Sequence, residues 1–273
     1  MIITLDEAMS SGRGVERPFN CPAHDDKNAS ASVNVVKGVW FCYSCMAHGV
    51  LENHVPNIDE AIRILAGESR THYYPEAWLD LFDADHCSPY WVKRVGIEVA
   101  SANRCGTHPM GMPTYPLRDD QGRLLGVVTR HEEDPKYRYP FSTTTSRTVY
   151  GPVRVCRVLV LLEGAGDVMA LQQGGLPDSW NANSVYGAGI HAPQVEIVAR
   201  MNPSVILAAF DDDDAGLRAR TLAVEQLADV APVLSVPWRR FGGKDAAEVP
   251  AANRIPALRH VLQAKGFSIE GTA

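Results

Sequence analysis

The sequence has little that would mark a membrane, secreted or fibrous protein. Its apolar runs, Val158–Leu162 among them, stop far short of the ~20 residues a membrane helix needs. The opening MIITLDEAMSSGRG has no basic start followed by an apolar stretch, so no secretion signal is read there. Six cysteines in 273 residues are too few for a disulfide scaffold. The expected compartment is therefore a reducing cytoplasm, with no membrane partner. There is no internal repeat, no low-complexity tract and no GxxxxGK[ST] phosphate loop. What remains is ordinary globular composition, 45% hydrophobic and 21% charged, at a length that suggests about two domains.

The net charge of −6 argues at first against a nucleic-acid partner, but it is unevenly spread. Residues 1–86 hold 6 Lys/Arg against 13 Asp/Glu, and residues 87–160 hold 11 against 6. Residues 161–214 hold 1 against 8, and residues 215–273 hold 8 against 5. A basic block beside an intensely acidic one suits a protein that handles polyphosphate through metal ions.

Two knuckles stand out. Cys21-Pro-Ala-His24 is followed, after 17 residues, by Cys42-Tyr-Ser-Cys45. Each pair places two ligands on one tight turn, and the intervening ASVNVVKGVWF reads as a hairpin turning at Lys37-Gly38. Four thiolate and imidazole ligands with no open position indicate one structural zinc ion. His48 is a competing ligand whose spacing would distort the second knuckle. A helix is expected over NIDEAIRILAG, where Ile58, Ala61, Ile62 and Leu65 recur at helical spacing.

From residue 151 strand and helix signals alternate: CRVLVLLE, AGDVMALQQ, NSVYG, HAPQVEIVARM, SVILAAF, DAGLRARTLAVEQLA and VAPVLSVPW. This order predicts a parallel sheet covered by helices. In the helix after SVILAAF, Leu217, Leu222, Val224 and Leu227 are expected on the buried side. A further helix is expected over Asn253–Lys265. One strand ends in Glu163 and another runs into Asp211–Asp214. Strand ends of a parallel sheet share one rim, so Glu163, Asp211 and Asp213 are expected to converge around Mg²⁺ or Mn²⁺, two ions or more. Lys244-Asp245, after the last strand, can join that rim.

Ahead of the sheet, PTYPLRDDQGRLLGVVTRH reads as a hairpin turning at Asp120–Gly122, with a short helix at Tyr90–Val95 before it. Arg118, Arg123, Arg130, Lys136, Arg138 and Arg147 are interleaved there with Tyr115, Tyr137, Tyr139 and Phe141. Cations hold phosphates and rings can stack on bases.

The stretch CPAHDDKNASASVNVVKGVWFCYSCMAHG resembles the N-terminal zinc ribbon of DnaG-type primases. LLEGAGDVMAL with FDDDDAGLRA is similar to the Toprim domain of those enzymes, of topoisomerases and of some nucleases. PLRDDQGRLLGVVTRH and PKYRYPFSTTTSRTVYG resemble the basic subdomain that precedes Toprim in primases. The resemblance implies an α/β protein in three parts. These are a small zinc-ribbon β module, a mixed α+β basic subdomain and a Toprim parallel-sheet domain.

The boundaries expected are 1–68 for the zinc domain, 69–86 for a linker, 87–150 for the basic subdomain, 151–250 for Toprim and 251–273 for a helical tail. The resemblance implies Cys21, His24, Cys42 and Cys45 as zinc ligands. It implies Glu163, Asp211 and Asp213 as catalytic metal ligands, with Asp167 and Asp245 as further metal acids. Arg130, Lys136 and, approximately, Arg147 are implied in contact with template or nucleotide; Arg118, from the basic block, and Lys244, from the rim, are expected as additional cations. Lys27, Asn28, Ser32, Trp40 and Tyr43 are expected to read the template.

Two positions depart from the family pattern: Asp212 stands where Gly is usual, and Ala247 where a second aspartate is frequent, with Glu248 as a possible substitute. The implied function is DNA-templated synthesis of short RNA primers from ribonucleoside triphosphates on single-stranded DNA. Because the chain stops at Ala273 and has no phosphate loop, a separate replicative helicase is expected, and a phage or mobile-element origin is plausible. A Toprim nuclease or topoisomerase-like enzyme, and a non-catalytic recombination-mediator-like clamp, are the competing readings.

Overall fold

The computed structural model describes residues 2–3, 16–27, 29–34, 38–51, 73–133, 136–140 and 145–267. The expected helix over NIDEAIRILAG, with Asn28 and Lys37, lies outside these residues. The chain divides into two compact units, Met1–Thr71 and His72–Ala273. Among the described residues no helix is long and apolar enough to cross a membrane.

The first unit is a five-stranded sheet in the order β1-β5-β4-β3-β2. Its strands are β1 (Ile2–Ile3), β2 (Glu16–Phe19), β3 (Ala31–Asn34), β4 (Val39–Cys42) and β5 (His48–Leu51). β3 and β4 pair antiparallel, as the expected hairpin requires. Period-2 alternation turns Ala31, Val33, Trp40 and Cys42 inward, beside Phe19 and Leu51. Trp40 is 2% exposed and meets Phe19 edge-to-face at 5.6 Å. So small a core offsets little chain entropy by itself.

The second unit begins where a linker with one short helix is expected. Residues Glu76–Phe82 form a 3-10 helix whose Leu79 packs with Leu124 and Val127. These apolar side chains bind the segment to the hairpin instead of leaving it in solvent. Helices α1 (Pro89–Val95) and α2 (Ile97–Ala102) follow. A three-stranded antiparallel sheet comes next, built from β6 (Thr114–Arg118), β7 (Leu124–Arg130) and β8 (Tyr137–Arg138).

The parallel sheet has the order β10-β9-β11-β12, with β9 (Val158–Leu162), β10 (Trp180–Ser184), β11 (Val205–Ala208) and β12 (Val233–Ser235). Its helices are α3 (Ala165–Gln173), α4 (Ala192–Arg200), α5 (Asp214–Leu227) and α6 (Ala251–Ala264). Alternate residues of β9 feed two cores. Val158, Val160 and Leu162 pack with α1, α3 and α6, while Leu159 and Leu161 pack with α4 and α5.

Three expectations change in detail. The strand placed on NSVYG is Trp180–Ser184, because Asn181 and Asn183 are buried. Their amides donate to the carbonyls of Arg154 at 2.8 Å and Pro152 at 3.1 Å. On α5 the buried residues are Gly216, Ala219, Arg220, Ala223 and Leu227, while Leu217, Leu222 and Val224 are exposed. Small residues let this helix lie close to the sheet: a Cβ on Gly216 would stand 2.0 Å from the Asp211 carbonyl oxygen. The helix expected as a tail is part of the core. Arg254 of α6 donates from Nη1 to the Ala170 carbonyl at 2.7 Å and from Nε to the Val249 carbonyl at 2.8 Å.

Candidate functional site

In the first unit, ligand atoms of Cys21, His24, Cys42 and Cys45 lie within 4.8 Å of one another. Asp26 organises the knuckle, accepting from the Cys21 amide at 2.7 Å and from the Ser30 amide at 3.0 Å. The Ser30 hydroxyl also donates to it, at 2.6 Å. The same carboxylate lies 3.9 Å from His24 Nε2, while His24 Nδ1 is buried with no hydrogen-bond partner. An orphaned ring nitrogen inside a thiol cluster, with a carboxylate near the opposite nitrogen, fits a metal ligand. Burial pushes the Cys42 thiol up, but the Ser30 hydroxyl and the amides of Cys45 and Ser44 outweigh it and bring the pKa to about 6. Burial and the neighbouring Cys42 and Cys45 sulfurs push the Cys21 thiol the other way, up, so the two sulfurs compete for charge that a bound cation would stabilise. His48 stands outside the cluster, exposed on β5.

In the second unit, the strand order puts a switch point beside β9, since the chain leaves to β10 on one side and returns to β11 on the other. Ligand crevices form there. A cleft of about 590 Å³ opens at these carboxyl ends, lined on its acidic side by Glu163, Asp167, Asp211, Asp245 and Glu248. Glu163 directly follows β9. Its carbonyl accepts from the Ser184 hydroxyl at 2.7 Å and the Gly187 amide at 3.1 Å. Glu163 Oε2 is buried with no partner.

Burial, then Asp245 and Asp211, push the Asp167 carboxyl up to about 7. Burial, then Glu163, Asp245 and Asp213, push Asp211 up to about 7. Burial and then Asp213 also raise Glu163. Oxygen donors gathered with too little countercharge fit divalent cations, which would displace the protons such a cluster otherwise keeps.

The four consecutive aspartates have different tasks. Asp211 lines the cleft. Asp212 turns inward to a buried ion pair with Arg220. Asp213 caps α5, its Oδ1 accepting from the Gly216 amide at 2.9 Å, and stays close enough to raise Glu163 and Asp211. Asp214 is exposed in the first helical turn, where the helix dipole favours it. Ala247, in the place of a frequent aspartate, donates its amide to Asp167 Oδ1 at 3.2 Å. Glu248 lies 3.7 Å from Lys244 Nζ.

Arg94, Arg130 and Lys136 also line the cleft, with rings of Tyr90, Tyr137, Tyr139 and Tyr186. The Arg130 guanidinium lies 4.4 Å over the Tyr90 ring. Arg94 passes over Gly166, with Nε 3.4 Å from where a Cβ would sit. Sequence reasoning missed Arg94, Tyr90 and Tyr186. A signal existed for two of them: Tyr90 and Arg94 are four apart, hence on one face of α1. Asp26 was missed because one carboxylate beside a knuckle carries no pattern.

Other expected residues lie elsewhere. Arg118 pairs with Glu76 and donates to the Gly122 carbonyl at 3.0 Å, away from the acids. Arg147 is exposed in a 3-10 turn and does not line the cleft. In the first unit Trp40 is core, and the Ser32 hydroxyl donates to Glu16 at 2.9 Å. Lys27 and Tyr43 are exposed.

Residues 12–70 match the CHC2 zinc finger family model, and residues 160–249 match the Toprim-like model. The four Cys/His ligands fall inside the first segment and the acids of the cleft inside the second, while Arg94, Arg130 and Lys136 lie outside both. The DNA primase of Deinococcus radiodurans is 24% identical over 89% of this chain and 54% of that protein. That of Campylobacter jejuni is 30% identical over 89% of this chain and 52% of that protein. The chain resembles the DnaG-type primases. It spans about half the length of the primases it matches.

Among solved structures, the zinc-binding and RNA polymerase domains of Aquifex aeolicus primase align at TM-score 0.46 and 16% identity. That alignment covers 93% of this chain and 79% of that one. The RNA polymerase domain of Mycobacterium tuberculosis DnaG aligns at TM-score 0.48 and 17% identity, covering 74% and 82%. The zinc-ribbon segment and its Cys/His cluster make the first site a zinc site, and the Toprim-like segment implies a divalent metal at the second.

Proposed function

We propose that this chain is a DNA primase that joins ribonucleoside triphosphates into short RNA primers on a single-stranded DNA template. What carries the reading is one cleft lined both by Glu163, Asp167, Asp211 and Asp245 and by Arg94, Arg130 and Lys136 with four tyrosine rings. Carboxylates hold cations and cations hold phosphates, so this arrangement suits in-line displacement at phosphorus.

The reaction joins the 3′-hydroxyl of one ribonucleotide to the α-phosphate of the next and releases pyrophosphate. Glu163 and Asp211 would hold Mg²⁺ or Mn²⁺, and Asp213, Asp167 and Asp245 would add negative charge nearby. Divalent cations held there would supply the positive charge that activates an attacking hydroxyl and neutralises the leaving pyrophosphate. Arg130 and Lys136 hold the triphosphate or template backbone, Arg94 balances Asp167 and Asp245, and Lys244, paired with Glu248, adds a cation at the rim. Tyr90 and Tyr137 offer faces on which bases stack.

The zinc-bearing unit reads the template through Lys27 and Tyr43, with the basic segment supplying phosphate contacts. The protein works in the cytoplasm beside a separate helicase that opens the duplex. Incubation with labelled ribonucleotides, Mg²⁺ and a panel of short single-stranded templates tests the reading. Primers made by the wild type and lost in Asp211→Asn and Glu163→Gln are expected. Template cleavage without synthesis would assign the cleft to a nuclease instead.

A further inference from the structure

We infer that Asp212 and Arg220 are positioning residues, forming one latch that holds the Asp211 loop against the Lys244–Asp245 loop. The inference rests on the reading of Glu163, Asp211 and Asp245 as cation ligands. It adds two residues that touch neither cation nor substrate.

Asp211 stands three residues beyond β11, which ends at Ala208. Strand pairing therefore does not hold its backbone, while the carboxylates around it repel one another. Arg220 supplies the missing constraint. Its Nη2 donates to the Phe210 carbonyl at 2.6 Å and the Asp211 carbonyl at 2.9 Å, and to Asp212 Oδ1.

The side chains of Arg220 and Asp212 are only 6% and 8% exposed. At such a depth neither charge is tolerable without the other. Asp212 also reaches the second loop. Its Oδ2 accepts from the Arg239 amide at 2.6 Å, and its own amide donates to the Lys244 carbonyl at 2.7 Å. Asp245 follows Lys244. Carboxylates contributed by two separate strand ends are thereby tied to one buried ion pair, and the spacing between them is fixed before a cation arrives. Asp212, an extra negative charge beside a cation site, thus acts through its partner rather than as a ligand.

The test is Mn²⁺ affinity, followed by electron paramagnetic resonance on the full chain with its zinc retained. Asp212→Asn, Arg220→Ala, the double variant and Asp214→Asn as a charge control are compared, with circular dichroism reporting folding. Each single variant is expected to weaken Mn²⁺ binding by about tenfold or more, the range seen when supporting partners of metal ligands are removed. The double variant is expected to be no weaker than the worse single, because either change breaks the same latch. Asp214→Asn is expected to stay within about twofold, since it removes an exposed charge.

The inference is overturned if the single variants only lower the melting temperature and keep wild-type Mn²⁺ affinity, or if their effects multiply in the double variant. Should Arg220→Ala fail to fold, Asp212→Asn, which keeps the side-chain volume, decides on the same criterion. A wild type that makes no primer yet shows this Mn²⁺ pattern sustains the latch and overturns the primase reading.

Discussion

Asp167→Asn should make the cation-free protein more stable at pH 8 than the wild type, by an amount that shrinks in acid. Asp167 is largely buried, and its carboxyl is raised from an ordinary 3.8 to about 7, chiefly by burial and then by Asp245 and Asp211. The folded state therefore binds this proton more tightly than the unfolded chain does. Stability is greatest below the unfolded value and falls as pH climbs through about 7.

Moving one carboxyl that far costs about 4 kcal/mol once it is ionised. Between pH 5.5 and pH 8 the wild type should lose about 2 kcal/mol from this group alone. Asparagine keeps an acceptor for the Ala247 amide and carries no charge. Its advantage should thus approach 4 kcal/mol at pH 8 and be about 2 kcal/mol smaller at pH 5.5. Denaturant unfolding in magnesium-free buffer, without chelator so that the zinc stays bound, measures both. A wild-type stability that is flat or rising over this range, or a variant no more stable than wild type at pH 8, would refute the reasoning.

Three further outcomes follow from packing and charge. Trp40→Ala should cost the zinc-bearing unit about 3–5 kcal/mol, as expected for an emptied aromatic core position; denaturant melts should show this, and a folded, fully stable variant that lost only template preference would contradict it. Arg118→Ala should leave Mn²⁺ affinity unchanged and cost no more than about 1 kcal/mol of stability, because its pair with Glu76 is partly exposed and away from the acids. On α5, Ala223→Leu should cost about 1–3 kcal/mol by overfilling the contact with the sheet, whereas Leu217→Ser should stay within about 0.5 kcal/mol; equal effects on the melting temperature would show that the buried face has been misassigned.

The parts of this protein written in short-range pattern were legible without coordinates. Zinc ligands must sit in pairs on tight turns, so Cys21, His24, Cys42 and Cys45 announce themselves by spacing. Strands buried on both faces must be continuously apolar, so Val158–Leu162 does too, and the acids that follow two such strands must share a rim. Residues whose role depends on a distant partner were not legible. Leu217, Leu222 and Val224 are apolar yet exposed on α5; its buried face is Gly216, Ala219, Arg220, Ala223 and Leu227, and at Gly216 the Asp211 backbone leaves no room for a Cβ.

The β10 strand was offset because its asparagines are satisfied by the segment at Pro152 and Arg154, which composition cannot foresee. Arg118 and Lys136 look alike in sequence, and only Glu76, 42 residues from Arg118, separates them. Four aspartates in a row read as one charge block, yet backbone direction, a helix N-terminus and a buried guanidinium give Asp211, Asp212 and Asp213 three different surroundings. Local sequence determined the elements and the ligand chemistry because hydrophobic period and ligand spacing are local properties. Tertiary structure alone decided which charges face the cleft, because a side chain's partner is set by what the rest of the fold brings to it.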